Sequence, residues 1–384
     1  MEAIKIETEI YFGADALDSL DGICGNRVFL VTDPFLVQSG LAGLVTKRLQ
    51  KRQYQIFDKV VPDPPLEAVS EGVQEVLKFQ PDTVVALGGG SAIDEAKAIL
   101  FFARETGQLG TVKLTAVPTT SGTGSEVTSF AVITDKSKGV KYPLVDPSLL
   151  PDAAILDVEL VKSLPVSIAA DTGMDVLTHA LEAYVSPRAN AFTDALARSA
   201  AVTVLGCLVR SCEDPGDLEA REQMLYASCM AGLAFDRTSL GLNHALAHNI
   251  GGKFPIPHGR ANAVLLPYVV EYNADLGDYS RMELSEAARK YGALAKFAGI
   301  GGNSVRISVK NLIREIRKME KRLKMPTTFR ECGISSEEFF EKADAVAEGA
   351  LADRCILTNP RTAKKEDILE LLRKSYHHAG SEGV

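Results

Sequence analysis

A short apolar run at residues 83–87, TVVAL, passes directly into Gly88-Gly89-Gly90-Ser91 and then into a helical pattern that lasts to about Arg104. A strand that ends in a glycine turn and restarts as a helix belongs to a layered α/β structure, because the turn sits where sheet gives way to covering helix. The flanking segments repeat the alternation. Residues 27–32, RVFLVT, read as a buried strand, 41–50 as a helix, 54–57 as a strand, 66–79 as a helix and 114–118 as another strand. This order predicts a mostly parallel sheet covered on both faces. Residues 129–157 add further extended segments, SFAVITD, KYPLV and AAILD.

Beyond Pro165 the pattern turns almost wholly helical, over 169–184, 190–208, 218–234, 278–297 and 311–324. In the last of these, Leu312, Ile316, Met319 and Leu323 form one apolar stripe, and the intervening Arg and Lys read as a solvated face. The expected organisation is an α/β domain over residues 1–162 followed by an all-helical domain over 163–384.

Composition narrows the class of function. The 384 residues carry a formal net charge of -8, which gives no support to a nucleic-acid partner. Six cysteines without a CxxC pattern are too sparse for a disulfide scaffold and read as small buried hydrophobes in a reducing compartment. The N-terminal MEAIKIETEI has neither the basic region nor the apolar core of a secretory signal. The apolar stretches read as shorter than the roughly 18 to 20 residues a bilayer requires. A cytoplasmic chain with neither membrane nor nucleic-acid partner is the expectation.

Gly88, Gly89, Gly90 and Ser91 let backbone N–H groups approach an anion at a helix N-terminus, where the dipole favours negative charge. The spacing is neither GxGxxG, since Ile93 stands in the last glycine place, nor a Walker A loop. A second loop, Pro118 to Thr128, follows another strand and offers Thr119, Thr120, Thr123 and Thr128 as donors to phosphate, ribose or carboxamide. Two such loops fit a diphosphate cofactor at the carboxyl edge of one sheet. Asp33 closes the first strand. It serves either as an acceptor for adenosine ribose hydroxyls, favouring NAD over NADP, or as a turn-former before Pro34.

Four of the six histidines crowd into residues 179–258. Asp175 and His179 share a helix face at i and i+4, and His244 and His248 repeat that spacing on another helix. Ten residues on, His258 stands in the proline-constrained loop FPIPHG. One carboxylate with several imidazoles suits a first-row divalent ion, iron or zinc, with one residue to spare. The chemistry that joins these halves is hydride transfer, with a Lewis-acid ion on an alcohol or carbonyl oxygen. A histidine outside the ligand set could carry the proton. His377 and His378, near a charged C-terminus, read as surface residues.

GGGSAIDEAKA, PTTSGTGSEVTSFAVITD, TGMDVLTHALEAYVSP and GLNHALAHNIGGKFPIPHGRANAVLLP together resemble the iron-containing, group III alcohol dehydrogenases over nearly the whole chain. The resemblance implies the dehydroquinate synthase-like fold of that family, a dinucleotide-binding α/β domain followed by an all-helical metal domain. It implies Fe(II), with Zn(II) as the alternative, on Asp175, His179, His244 and His258, and NAD(H) as the second cofactor. His248 falls on the family's proposed proton carrier. Asp94 falls in the glycine-loop motif, near the cofactor or substrate, as a second catalytic candidate. Gly88 to Ser91, the four threonines, Asp33 and Lys141 fall on cofactor-binding positions.

Within the family the likeness is greatest to the 1-propanol dehydrogenase branch of propanediol-utilising bacterial microcompartments, carried by KYPLVDPSLLPDAAILD and ALADRCILTNPR. It implies reduction of propionaldehyde or acetaldehyde, a homodimer or larger homo-oligomer, and possible microcompartment enzymes or shell as partners. Lactaldehyde or 1,3-propanediol oxidoreductases of the same family are the alternative. The TTSGTGSE segment and the HxxxH pair favour an alcohol dehydrogenase over a glycerol-dehydrogenase-like or dehydroquinate-synthase-like relative. A non-catalytic structural protein that keeps the fold is the remote alternative.

Overall fold

The computed structural model describes residues 4–136, 140–277 and 283–377, with the side chains of Val140 and Lys141 outside that set. The chain divides into two compact units, residues 1–164 and 165–384, two residues beyond the boundary expected from sequence.

The first unit runs β1 (Glu9–Phe12), α1 (Leu20–Ile23), β2 (Arg27–Val31), α2 (Pro34–Gln38), α3 (Leu41–Arg48), β3 (Gln53–Phe57), α4 (Leu66–Phe79), β4 (Thr83–Gly88), α5 (Gly90–Glu105), β5 (Lys113–Pro118), β6 (Phe130–Asp135), β7 (Val140–Val145) and β8 (Ala153–Leu156). Six strands form one parallel sheet in the order β1-β8-β5-β4-β2-β3, while β6 and β7 form a separate antiparallel pair. The central strands are continuous apolar runs because both faces are covered. Phe29, Val31, Val84 and Ala86 point into a core with Val69 and Val76 of α4 and Ile99 of α5. Val28, Leu30, Val85 and Leu87 alternate with them and point into the opposite core, with Leu20 of α1 and Val45 of α3. The period-2 alternation of a strand therefore feeds two cores at once.

The chain steps outward from β2 to β3, then returns to place β4 on the other side of β2. The strand order reverses between β2 and β4, the position where open α/β sheets bind ligands beyond the strands' carboxyl ends. Strand β1 has no counterpart among the expected elements. It is a four-residue edge strand paired only with β8, and its outward Phe12 leaves no clean alternation to read.

The second unit is helical: α6 (Val166–Val185), α7 (Ala191–Glu213), α8 (Leu218–Thr238), α9 (Leu242–Gly251), α10 (His258–Ala274), α11 (Glu286–Phe297), α12 (Val305–Arg322), α13 (Ser336–Ala352) and α14 (Lys365–His377). Asn190 starts α7 with a capping box, accepting from the N–H groups of Phe192 and Thr193 while the Thr193 hydroxyl accepts from its own N–H. Met174 and Leu177 of α6, Ala200 and Val204 of α7, and Leu312 and Ile316 of α12 share one core, which confirms the α12 stripe. Leu246 of α9, Leu265 of α10, Phe339 of α13 and Leu372 of α14 share another.

Two expectations change here. Helix α7 spans 23 residues and is long and apolar enough to cross a membrane by length and composition, contrary to the reading of short apolar stretches. Its Ala197, Ala200, Ala201, Val204 and Leu208 lie fully buried in the helical core, which accounts for its composition. His258 opens α10 rather than sitting in a loop, because Pro257 stands at the N-cap and helix begins at the next residue. His377 is partly exposed and stacks on the exposed Phe340 with ring centroids 5.7 Å apart, while His378 lies outside the described residues. All six cysteines are free.

Candidate metal and nucleotide sites

In the first unit, neighbouring strand ends assemble one anion cradle. Gly88 ends β4 at φ +154, a backbone region L side chains rarely adopt. A Cβ on Gly90 would lie 2.6 Å from the Thr123 methyl, and one on Gly89 3.2 Å from the Thr120 methyl. The glycines thus let the two loops close on each other. Thr119 is tied to the same place, its N–H donating to the Gly88 carbonyl at 3.0 Å. Helix α5 starts at Gly90 with Gly89 as an N-cap that supplies no side-chain acceptor, so its first turn offers bare amides beside Ser91. Thr120, Thr123 and Ser91 remain partly accessible, while Thr119 and Thr128 are buried.

Asp33 lies at the end of β2, on the far side of the strand-order reversal. Its Oδ1 caps α2 by accepting from the Leu36 N–H at 2.9 Å. Its Oδ2 lies 3.8 Å from the Cβ position of Gly88. Both readings of Asp33 are therefore geometrically compatible, one per carboxylate oxygen. Lys141 falls in β7, with its side chain outside the described residues.

Both carboxylate oxygens of Asp94 are engaged within the first unit. Its Oδ1 accepts from the Ser125 hydroxyl at 2.6 Å and its Oδ2 from the Val132 N–H at 3.0 Å. Burial raises its pKa, against Lys97 and these two donors. Lys97, absent from the sequence-based candidates, is buried and donates to the carbonyls of Ser125 (2.6 Å), Thr128 (2.8 Å) and Phe130 (2.7 Å). The pair fastens the threonine loop to α5. The signal was present as Asp94 and Lys97 three residues apart on the glycine-loop helix.

In the second unit, Asp175, His244 and His258 bring one ligand atom each to within 4.8 Å of one another. Asp175 comes from mid-α6, His244 from the first turn of α9 and His258 from the first residue of α10. His179, one turn beyond Asp175, stacks on His244 with centroids 4.5 Å apart, but is not among the three whose ligand atoms converge. His248 stacks on His258 at 5.4 Å. The approach of α10 to α6 depends on Gly259, where a Cβ would lie 2.1 Å from the Asp171 carbonyl oxygen. Arg260 locks the same contact with two bonds to Asp171, at 3.1 and 2.9 Å.

The donor set fits a divalent cation. Glu182 accepts from Nδ1 of His244 at 2.6 Å, which turns the Nε2 lone pair toward Asp175 and His258. The Asn262 amide nitrogen meets Asp175 Oδ1 at 2.6 Å, His244 Nε2 at 3.2 Å and His258 Nε2 at 3.1 Å. Three acceptors thus converge on one donor, as they would on a cation.

Without an ion the two carboxylates favour a second proton on His244, which an entering cation would displace. Burial opposes a proton on His244, but Glu182 and Asp175 outweigh it and hold its pKa up at about 9. Burial also opposes the Asp175 carboxylate, and His179, His258 and His244 overcome it, keeping the group far below its usual range. Loss of water around His258, helped by the neighbouring imidazoles and resisted by Asp175, pushes it down to about 3. Glu182 and Asn262 were not singled out in the sequence, although Glu182 continues the Asp175/His179 face at i+7.

Comparison with known proteins follows the same two-part division. Residues 7–158 match the family described as iron-containing alcohol dehydrogenase. Residues 169–376 match the C-terminal part of the Fe-containing alcohol dehydrogenase family. The chain is 41% identical to 1-propanol dehydrogenase PduQ of Salmonella typhimurium, across 97% of this chain and 100% of that one. It is 36% identical to the NADPH-dependent butanol dehydrogenase of Clostridium saccharobutylicum, across 98% of each. A solved structure of 1,3-propanediol oxidoreductase superposes with a TM-score of 0.90 at 33% identity, covering 98% of this chain and 100% of that one.

Proposed function

The chain belongs to the iron-containing alcohol dehydrogenase family, and from that premise we propose that it reduces propionaldehyde or acetaldehyde to the primary alcohol with NADH. The observation that carries the substrate class is the 41% identity to a 1-propanol dehydrogenase across 97% of this chain and 100% of that one. The reaction adds a hydride from NADH to the carbonyl carbon and a proton to its oxygen, and a divalent ion held by the cluster would supply Lewis-acid polarisation of the carbonyl.

Asp175, His179, His244 and His258 hold the ion in this reading. Glu182 fixes the ring of His244, and Asn262 holds the Asp175 carboxylate in place. Gly88, Gly89, Gly90 and Ser91 bind the cofactor diphosphate through backbone amides, with Thr119, Thr120 and Thr123 beside them. Lys97 and Asp94 hold that loop in shape, with Thr128 as one of its anchor points. Asp33 accepts from the ribose hydroxyls and repels a 2'-phosphate. His248, next to His258 and not among the converging ligands, carries the proton to the product oxygen. Lys141 is assigned to the cofactor by family position.

Likeness to a 1,3-propanediol oxidoreductase favours a second reading, in which the substrate carries another hydroxyl. A homo-oligomer and a microcompartment setting accompany the first reading as proposals of the same family likeness.

Steady-state rates decide between these readings. Protein loaded separately with Fe(II) and Zn(II) is assayed with propionaldehyde, acetaldehyde, lactaldehyde and 3-hydroxypropionaldehyde, each with NADH and with NADPH. The proposal expects the highest kcat/KM for an unsubstituted short aldehyde with NADH. A preference for a hydroxyaldehyde selects the second reading, and no turnover on any of the four rejects both.

A further inference from the structure

We propose that Asp353 is a positioning residue that fixes the tautomer of His248, so that the two act as one proton-transfer unit. The proposal rests on the reading of His248 as the proton carrier. Asp353 follows α13 and caps the 3-10 turn Arg354–Thr358, 105 residues from His248 in sequence. Its Oδ1 accepts from the Cys355 N–H at 2.8 Å. Its Oδ2 lies 2.9 Å from His248 Nδ1. The Cys355 thiol also bonds this carboxylate, so the thiol and the backbone bond anchor the group while Oδ2 is aimed at the imidazole. Burial opposes the charge on Asp353, but His248 and the Cys355 N–H outweigh it and keep the carboxyl ionised.

An ionised carboxylate only accepts, so the His248 proton facing it must sit on Nδ1. Nε2 of the neutral ring then carries the lone pair that takes a proton from an alcohol. In aldehyde reduction the same nitrogen gives its proton to the carbonyl oxygen as that oxygen gains the electron pair, and the neutral ring keeps its proton on Nδ1. The Asp353 side chain is mostly shielded from solvent, and that of His248 is 38% exposed. This suits a ring that must reload from water while one nitrogen stays tethered.

Asp353→Asn separates this role from capping. Asn caps as well as Asp does, so Oδ1 can keep the Cys355 N–H while an NH2 group faces His248. A donor facing Nδ1 forces the neutral ring's proton onto Nε2, the wrong nitrogen for accepting. The test uses Zn(II)-loaded wild type, D353N, H248Q and the double variant, with metal content measured for each. D353N is expected to lower kcat about 10- to 100-fold, at or below the lower end of the roughly 100- to 10,000-fold range of general acid–base effects. KM for propionaldehyde and NADH should stay within about twofold, a split that marks a transition-state loss. Adding D353N to H248Q should cost less than about twofold, because coupled residues are non-additive.

15N-histidine spectra give a readout independent of turnover. With only six histidines and H248Q to assign the signal, His248 should appear with its proton on Nδ1 in wild type and lose that signature in D353N. An equal D353N loss in the H248Q background, or an unchanged His248 signal, overturns the proposal. Wild-type kcat in H248Q overturns the proton-carrier reading itself, and this proposal with it.

Discussion

At the scale of single residues, the cation cluster depends on how each donor is oriented as much as on which donors are present. His244 can offer Nε2 only while Nδ1 keeps its proton, and Glu182 Oε2 at 2.6 Å holds it there. Replacing Glu182 with Gln substitutes a neutral amide for the charged acceptor. We expect E182Q to weaken Zn(II) affinity by about 10- to 100-fold, read by chelator competition, as for other partners of metal-binding histidines. Unchanged affinity would reduce Glu182 to a packing role. Asp33 gives a second prediction, since its Oδ2 lies beside Gly88 at the strand-order reversal. D33S should raise the NADPH/NADH ratio of kcat/KM by about tenfold or more, by removing a charge that repels the 2'-phosphate. Of the three converging donors, Asp175 and His244 were legible in the sequence as members of i, i+4 pairs and His258 as the histidine after the proline pair. Their orienting partners were not. Glu182 meets His244 across 62 residues and Asp353 meets His248 across 105, and no local spacing records contacts that tertiary packing creates.

Among elements, α5 shows how one helix serves both the cradle and the core. Its N-terminus presents amides, its Asp94 and Lys97 fasten the threonine loop, and its Glu95 is fully buried with neither carboxylate oxygen hydrogen-bonded. Burial, helped by Glu71, raises the pKa of Glu95 to about 7 from an ordinary 4.5. A raised carboxyl pKa means the folded state binds more protons than the unfolded state between those two values. The pH-dependent penalty is therefore absent below about pH 4.5. Stability falls as pH rises toward 7, and the full penalty of about 3 kcal/mol is present by pH 8. E95Q should stabilise the protein at pH 8 but not at pH 5, which denaturant unfolding at the two values would show. Equal shifts at both would mean that the charge on Glu95 is not the cause. The same helix start predicts that Gly90→Ala weakens NADH binding, because the new Cβ would meet the Thr123 methyl at 2.6 Å and force the two loops apart. A fluorescence titration with an unchanged dissociation constant would show that the cradle tolerates the shift. Elements with clear periodicity, such as α5 and β4, were readable in advance. The edge strand β1 was not, because four residues with mixed exposure carry no pattern.

For the whole molecule, the residues proposed for the cofactor and those proposed for the cation fall in different compact units. Gly88 to Ser91, the threonine loop and Asp33 lie within residues 1–164, while Asp175, His179, His244 and His258 lie within 165–384. Each unit has its own buried cores: Val31 and Val84 or Leu30 and Val85 in the first, Met174 and Leu312 or Leu246 and Leu265 in the second. The nucleotide cradle therefore does not rely on the cation for its shape. His258→Ala removes one of the three converging donors at a helix start. An alanine there leaves the Arg260–Asp171 pair and the Gly259 approach to α6 in place. We expect H258A to lose bound iron or zinc and at least about 1,000-fold in kcat/KM, the scale of removing a Lewis acid and its transition-state charge stabilisation. Its NADH dissociation constant should remain within about threefold of wild type, since no cradle residue has changed. Chelated wild-type protein should behave the same way and recover with Fe(II) or Zn(II), whereas H258A should not. Metal analysis, NADH fluorescence and propionaldehyde reduction measured on one preparation separate the outcomes. Full turnover in metal-free H258A would rule out the cation cluster as the catalytic centre, and loss of NADH binding in step with the metal would show that the two units do not act independently.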